Sequence, residues 1–285
     1  MKKYIYTIAF LGIIIALISF SAHSLLNQKA KSGRFIFDNN SPIYFGIFPF
    51  LEKEILSDGL NPLMKYLSKH LKRRVELRFA NDYFSLEEMA VRKKIHFFWF
   101  NPRSGYKNSR VSFVPFCRPV SASGKHYRGC VIVRKDSGIN SVSELSGKSF
   151  AYIDRYSNSG FYYPNLLFAK MGIDPINFFG SVKFAGNHDK CFAGVLNREY
   201  DAGVVTDMLF QNSVSPHSTD TASLKIIATT ASITLDPFAA AADTDKEIIE
   251  MVKNLLLNPQ YYDESGPAFA SLLSIFEIKG FQEYE

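Results

Sequence analysis

From Ile43 onward the chain alternates short apolar runs of strand length with longer stretches that carry a helical period. No other feature constrains the fold as strongly, because strand–helix alternation builds largely parallel sheets with helices on both faces. The predicted strands are Ile43 to Phe48, Val75 to Phe79, Ile95 to Phe100, Val111 to Phe116, Tyr127 to Val133, Lys148 to Ile153, Val182 to Phe184, Asp201 to Val205, Leu224 to Ala228 and Pro237 to Ala242. Helical spacing is clearest in Leu51 to Leu71, where Leu63, Leu67 and Leu71 recur every four residues. Two further helices, near Asp245 to Leu257 and Glu264 to Ile275, are expected to close the chain. Ser85 with Glu88, and Ser141 with Glu144, have the spacing of capping boxes.

In such sheets ligands sit beyond the carboxyl ends of strands, where helices begin. Two stretches hold that position. Tyr156-Ser157-Asn158-Ser159-Gly160 lies between the apolar run ending at Ile153 and the helical face Leu166 to Met171, which Gly172 ends. A helix start has unpaired N–H groups and a partial positive charge, so it favours an anion. Two hydroxyls and a carboxamide there add donors, and Gly160 is expected to let the backbone approach a ligand. Gly186-Asn187-His188-Asp189 is the second stretch, and His188 is its candidate anion donor.

Met1-Lys2-Lys3 followed by apolar residues 4–20 and by Ala22-His23-Ser24 has the layout of an export leader over residues 1–24. An uncleaved anchor to the inner membrane is the alternative. Residues 25–42 read as a polar linker. The net charge of +6 drops to +4 if Lys2 and Lys3 leave with a cleaved leader. That suits anionic ligands, yet the basic residues are scattered, so nucleic acid is not an expected partner. Among the three cysteines, Cys117 and Cys130 are candidates for a bridge, and Cys191 reads as a buried apolar residue. There is no Cys-x-x-Cys and no His-Glu-x-x-His, so no metal and no cofactor is expected.

Taken in order, several motifs resemble the phosphonate, phosphite and phosphate substrate-binding proteins of bacterial ABC importers. The likeness runs through Asn81-Asp82-Tyr83, Tyr127, the run from Val131 to Ile139, and Ser157-Asn158-Ser159-Gly160-Phe161. It continues in Ala185-Gly186-Asn187-His188-Asp189, Asp201-Ala202-Gly203 and Asp236-Pro237. The resemblance implies an α/β, two-lobed periplasmic binding protein fold of type II, each lobe a mixed, mainly parallel sheet flanked by helices. Residues 43–120 and 231–285 would make lobe I, and residues 121–230 lobe II. It also implies a monomer, exported to the periplasm, that is not an enzyme and delivers its ligand to a permease and its ATPase.

By the same resemblance Ser157, Asn158, Ser159, His188 and Tyr83 hold the phosphoryl oxygens, and Tyr127 lines the cleft. Asp236 faces the ligand and Asp207 assists it, which leans toward a ligand carrying an ammonium group. Two departures stand out: Asn158 replaces a hydroxyl residue, and Trp99-Phe100-Asn101-Pro102 replaces a smaller, Gly-containing turn, so the cleft is expected to be reshaped. Two rival readings use the same cleft. One is a membrane-anchored sensor. The other is a hydrolase with Ser159 as nucleophile, His188 as base and Asp236 as orienting acid, although no Gly-x-Ser-x-Gly elbow is present.

Overall fold

The computed structural model describes residues 41–99, 113–122, 126–211, 220–262 and 265–284. The leader or anchor, nearly all of the linker, the turn after Trp99 and most of the Ser/Thr-rich loop at 214–222 lie outside these residues. Two separate sheets are present rather than one. The first contains β1 (Ile43–Ile47), β2 (Val75–Phe79), β3 (Phe97–Trp99), β4 (Phe113–Ser121), β10 (Phe238–Ala241) and β11 (Ile278–Glu283), ordered β11-β4-β10-β3-β1-β2. The second contains β5 (Gly129–Arg134), β6 (Ser149–Tyr152), β7 (Ser181–Phe184), β8 (Ala202–Thr206) and β9 (Leu224–Thr229), ordered β7-β6-β8-β5-β9. Each sheet with its helices is one lobe, hereafter lobe I for the six-stranded sheet and lobe II for the five-stranded one.

Both sheets are mixed, but parallel pairing is less dominant than the alternation predicts. In lobe I only β1–β2 and β1–β3 are parallel; β10 and β11 pair antiparallel with their neighbours. In lobe II β6 pairs parallel with β7 and β8, and β5 pairs antiparallel with β8 and β9. The cause is the route of the chain. It crosses between lobes after β4 and returns after β9, and the first strand after each crossing, β5 or β10, runs against the parallel strands of its sheet, as β11 does too. The crossings are themselves paired: Tyr127 and Ile233 exchange backbone hydrogen bonds of 3.1 and 2.8 Å. Sequence reading also missed β11, whose run Ile278–Glu283 is short and half polar and gains its strand character only by pairing with β4.

In lobe I, helix α1 (Lys53–Leu71) buries Leu56, Leu60, Leu63 and Leu67, one apolar face at three- and four-residue spacing. Pro62 lies within it and cannot donate to the Asp58 carbonyl four residues back. The Ser271 hydroxyl, from α6 (Ser265–Phe276), supplies that bond at 2.8 Å and also reaches Gly59 O at 3.2 Å. Gly59 has no side chain because the Phe276 ring fills the space a Cβ would need. Helix α5 (Lys246–Leu257), capped by Asp245, packs against α1 and against β4 and β11.

Two helix starts differ from the capping boxes read in the sequence. Helix α2 (Tyr83–Val91) begins one turn early, because Asp82 accepts from the Ser85 amide and hydroxyl, both at 2.6 Å. After Ser141 there is only a 3-10 turn, with Glu144 accepting from the Asn140 amide. All three cysteines are buried free thiols. Cys117 sits in β4 and Cys130 in β5, so they belong to different sheets and the suggested bridge is absent. Cys191 lies on the buried face of α4 (His188–Leu196), as expected.

Candidate functional site

A cavity of about 50 Å³ is lined by parts of both lobes. From lobe II come Ser157, Asn158, Ser159, His188, Thr206 and Met208; from lobe I and the crossings come Phe48, Phe50, Tyr83, Trp99, Tyr127, Leu235, Asp236, Phe276 and Ile278. Seven of the eight site residues expected from sequence therefore meet at one cavity. Asp207 is the exception. Its carboxylate accepts from the Arg128 amide at 3.0 Å while its own amide donates to the Arg128 carbonyl at 2.9 Å, so it knits β8 to the crossing strand. That bonding gives Asp207 a structural task, and its side chain is not among the described residues that line the cavity.

Residues Asn158–Tyr162 form one π-helical turn ahead of helix α3 (Tyr163–Lys170). Ser157 caps it: its backbone is extended, and its Oγ accepts from the Gly160 amide at 3.0 Å. The wider π turn spreads the leading residues, so Ser157, Asn158 and Ser159 all reach the cavity wall although all are buried. Gly160 has a different role from the one expected. A Cβ there would meet the side chain of Ile153, so the glycine serves strand–helix packing. Gly129 protects the turn from the other side, since a Cβ on it would run into the Ser159 carbonyl.

His188 stands at the first turn of α4, and Asn187 caps that helix by accepting from the Lys190 amide at 2.7 Å. Its Nδ1 accepts from the Thr206 backbone amide at 3.0 Å. A backbone N–H can only donate, so Nδ1 is unprotonated and the proton of the neutral ring sits on Nε2. Nε2 is 3.3 Å from Ser159 Oγ. Burial lowers the His188 pKa to about 3, so the ring stays neutral and acts as a fixed N–H donor.

Asp236 accepts from Asn158 Nδ2 at 3.1 Å, a bond that joins the lobes. Burial raises its carboxyl pKa to about 8, against the opposing pull of Asn158 and Arg118. The carboxyl is thus protonated at neutral pH and can donate. The Tyr83 and Tyr127 phenols are also pushed up by burial, with Asp236 adding to both shifts, so both remain donors. No Lys or Arg is among the described lining residues, and Asp236 is the one carboxyl.

Sequence reading missed the opposite wall. Phe50 and Trp99 pack edge to face at 5.3 Å, Trp99 and Phe276 at 5.6 Å, and Phe48 lies 4.4 Å from Tyr83. The Trp99 indole N–H donates to the Asp236 carbonyl at 2.9 Å, which holds that segment in place. The unusual Trp at this strand end was visible, but its neighbours Phe50 and Phe276 are far apart in sequence and carry no local signal.

The hydrolase geometry is not formed. A base would need Nε2 free to take the Ser159 proton, with Asp236 on Nδ1. Here Thr206 occupies Nδ1, Nε2 carries the proton, and Asp236 bonds Asn158 instead.

Residues 45–285 match the family model described as the ABC transporter, phosphonate, periplasmic substrate-binding protein. A probable ABC transporter phosphite binding protein, PhnD1 of Prochlorococcus marinus, is 23% identical over 264 residues, covering 88% of this chain and 87% of its own. The crystal structure of a binding protein component of an ABC phosphonate transporter from Pseudomonas aeruginosa superposes with a TM-score of 0.76 at 22% identity, covering 86% of this chain and 82% of that one. The Prochlorococcus PhnD1 structure in complex with methylphosphonate gives 0.74 at 21% identity, covering 86% and 93%.

Proposed function

The chain belongs to the phosphonate family of periplasmic ABC-transporter substrate-binding proteins, and from that premise we propose that it captures a phosphonate- or phosphite-type oxyanion between its lobes through Tyr83, Tyr127, Ser157, Asn158, Ser159, His188 and Asp236. One observation carries the reading. The π turn at Asn158 and the start of α4 bring hydroxyl, amide and imidazole donors to a single cavity with no Lys or Arg among its described lining residues. Hydrogen bonds to an ionised acceptor are about twice as strong as neutral ones, so such donors can replace the water that a phosphoryl group loses.

Asp236 completes the site by handling a proton. A carboxylate repels an oxyanion unless one of the two is protonated, and the raised pKa of Asp236 keeps that shared proton in the cavity at neutral pH. Binding rather than catalysis is supported by the His188 tautomer, which offers a donor where a hydrolase needs a base. The protein acts as an exported monomer that hands its ligand to a membrane permease driven by an ATPase, with residues 1–24 as its leader.

Calorimetric titration with phosphite, methylphosphonate, phosphate and sulfate, with arginine as an unrelated control, tests the reading. At least one phosphorus oxyanion is expected to bind and to raise the melting temperature, since ligand at 100 times its dissociation constant stabilises by about 2.7 kcal/mol. Binding of arginine with no response to any phosphorus compound would refute it.

A further inference from the structure

We propose that Glu52 of lobe I and Asn187 and Asp189 of lobe II form a clasp between the lobes, which opens as one unit, fixes the main chain of His188 and sets how slowly a ligand leaves. The control of ligand release rests on the function proposed above. The clasp itself does not, since none of its three side chains is among the described lining residues of the cavity.

The clasp follows from an incomplete helix start. Helix α1 begins after Glu52, whose backbone is extended and whose side chain makes no cap bond. A capping box would place Glu or Gln at the third helical position to bond the N-cap amide, but α1 has Ile55 there. Asp189 takes that place from the other lobe: its Oδ2 accepts from the Glu52 amide at 2.8 Å. Helix α4 is served in return. Its cap, Asn187, accepts from the Lys190 amide through Oδ1 and donates through Nδ2 to Glu52 Oε1 at 3.0 Å. Between these two contacts the His188 amide donates to the Phe50 carbonyl at 3.1 Å.

Electrostatics favours the same pairing. A helix start carries a partial positive charge, about half an elementary charge, so two starts brought together repel. Here the carboxylate of each side lies at the start of the other helix and offsets that repulsion. Asn187 and Asp189 are 4% and 2% exposed. A partner removed from either therefore leaves a buried polar group unsatisfied, which costs more than a bond lost at the surface.

Parting the lobes breaks all three bonds, and the middle one belongs to His188, whose Nε2 lies beside Ser159 Oγ. The main chain that carries this donor is thus held from lobe I. The Asn158–Asp236 bond also joins the lobes, but both residues line the cavity. The clasp is a contact that substitution can loosen without removing a donor. Glu52, Asn187 and Asp189 are accordingly positioning residues, acting on a ligand only through His188 and the joining of the lobes.

Two measurements test this. The first is amide hydrogen exchange of the full chain without ligand. Glu52→Ala deprives α1 of no cap bond and leaves the Phe50 carbonyl in place. It should nevertheless speed exchange of the His188 amide about tenfold, the effect of one buried donor left unpaired. Amides of Phe45 in β1 and Val204 in β8 should be unchanged. The second is dissociation of methylphosphonate, followed in stopped flow through the fluorescence of Trp99, the single tryptophan of the chain. Glu52→Ala and Asp189→Ala should each release it about tenfold faster, with association little altered. Asp189→Asn, which keeps an acceptor oxygen, should recover most of the loss. An unaltered His188 amide would overturn the clasp, and so would a uniform rise in exchange through both sheets, the mark of an ordinary contribution to folding. Unaltered dissociation beside a responsive His188 amide would overturn its control of release. If the unmutated protein binds no phosphorus oxyanion, the proposed function falls, and the exchange result still decides the clasp.

Discussion

Lobe II meets the cavity with hydroxyls, a carboxamide and an imidazole, whereas lobe I meets it mainly with the rings of Phe48, Phe50, Trp99 and Phe276. The two walls are also built differently. Lobe II's donors stand at two helix starts, where backbone N–H groups are short of partners and polar side chains are at home. Lobe I's wall is the exposed edge of its own core: Phe276 fills the notch left by Gly59, and Trp99 packs on Phe238 at 5.4 Å as well as on Phe276. Damage to one wall should therefore look unlike damage to the other, because lobe I's rings are part of its core packing whereas a donor such as Ser159 makes few bonds within the protein.

The sharpest contrast is between Trp99→Ala and Ser159→Ala. Removing the indole leaves a cavity in lobe I and frees the Asp236 carbonyl, so urea unfolding should show a loss of about 3–5 kcal/mol. Ser159→Ala should leave unfolding within about 1 kcal/mol of the parent yet weaken binding of a phosphorus oxyanion by about 1.5–3 kcal/mol, the worth of a hydrogen bond to a charged group. If Ser159→Ala unfolds as easily as Trp99→Ala, Ser159 is a structural cap and the contrast between the walls fails.

A smaller effect comes from the proton on Asp236. Its pKa is raised from 3.8 to about 8 in the folded protein, so the folded state holds a proton that the unfolded state releases. Stability of the ligand-free protein should fall as pH climbs through that window, and affinity should fall above about pH 8, by at most about tenfold per pH unit, the slope for one linked proton. Asp236→Asn should flatten both profiles. His188 works in the other sense: its pKa is lowered from 6.5 to about 3, so its contribution is full above 6.5 and lost as pH falls through the lower value. An unchanged profile in Asp236→Asn would show that the carboxyl does not carry the proton.

How much of this was legible beforehand follows the same division. The donors of lobe II lie in two short, contiguous stretches at strand-to-helix junctions, and local sequence reveals both. Strands β5, β6 and β8 of that lobe are apolar runs buried on both faces, and they too announce themselves, whereas the edge strands β7 and β9 are largely exposed or half-buried. Lobe I's wall is assembled from Phe50, Trp99 and Phe276, which only tertiary packing brings together. Strand β11 was missed for a related reason, since Ile278–Glu283 lacks apolar alternation and depends on pairing with β4. The bond from the Arg128 amide to Asp207, 3.0 Å, was not legible either, because a carboxylate beside a strand end looks alike whether it faces a ligand or a backbone amide. Gly160 was misjudged similarly: the close neighbour that excludes a side chain is Ile153, within the protein.

The most direct test of the division between lobes is a crystal structure of the complex with methylphosphonate. The phosphoryl oxygens should lie about 2.7–3.1 Å from Ser159 Oγ and His188 Nε2, with the methyl carbon turned toward Trp99 and Phe276. A ligand seated the other way round, with its oxygens against the aromatic wall, or held outside this cavity, would contradict the account.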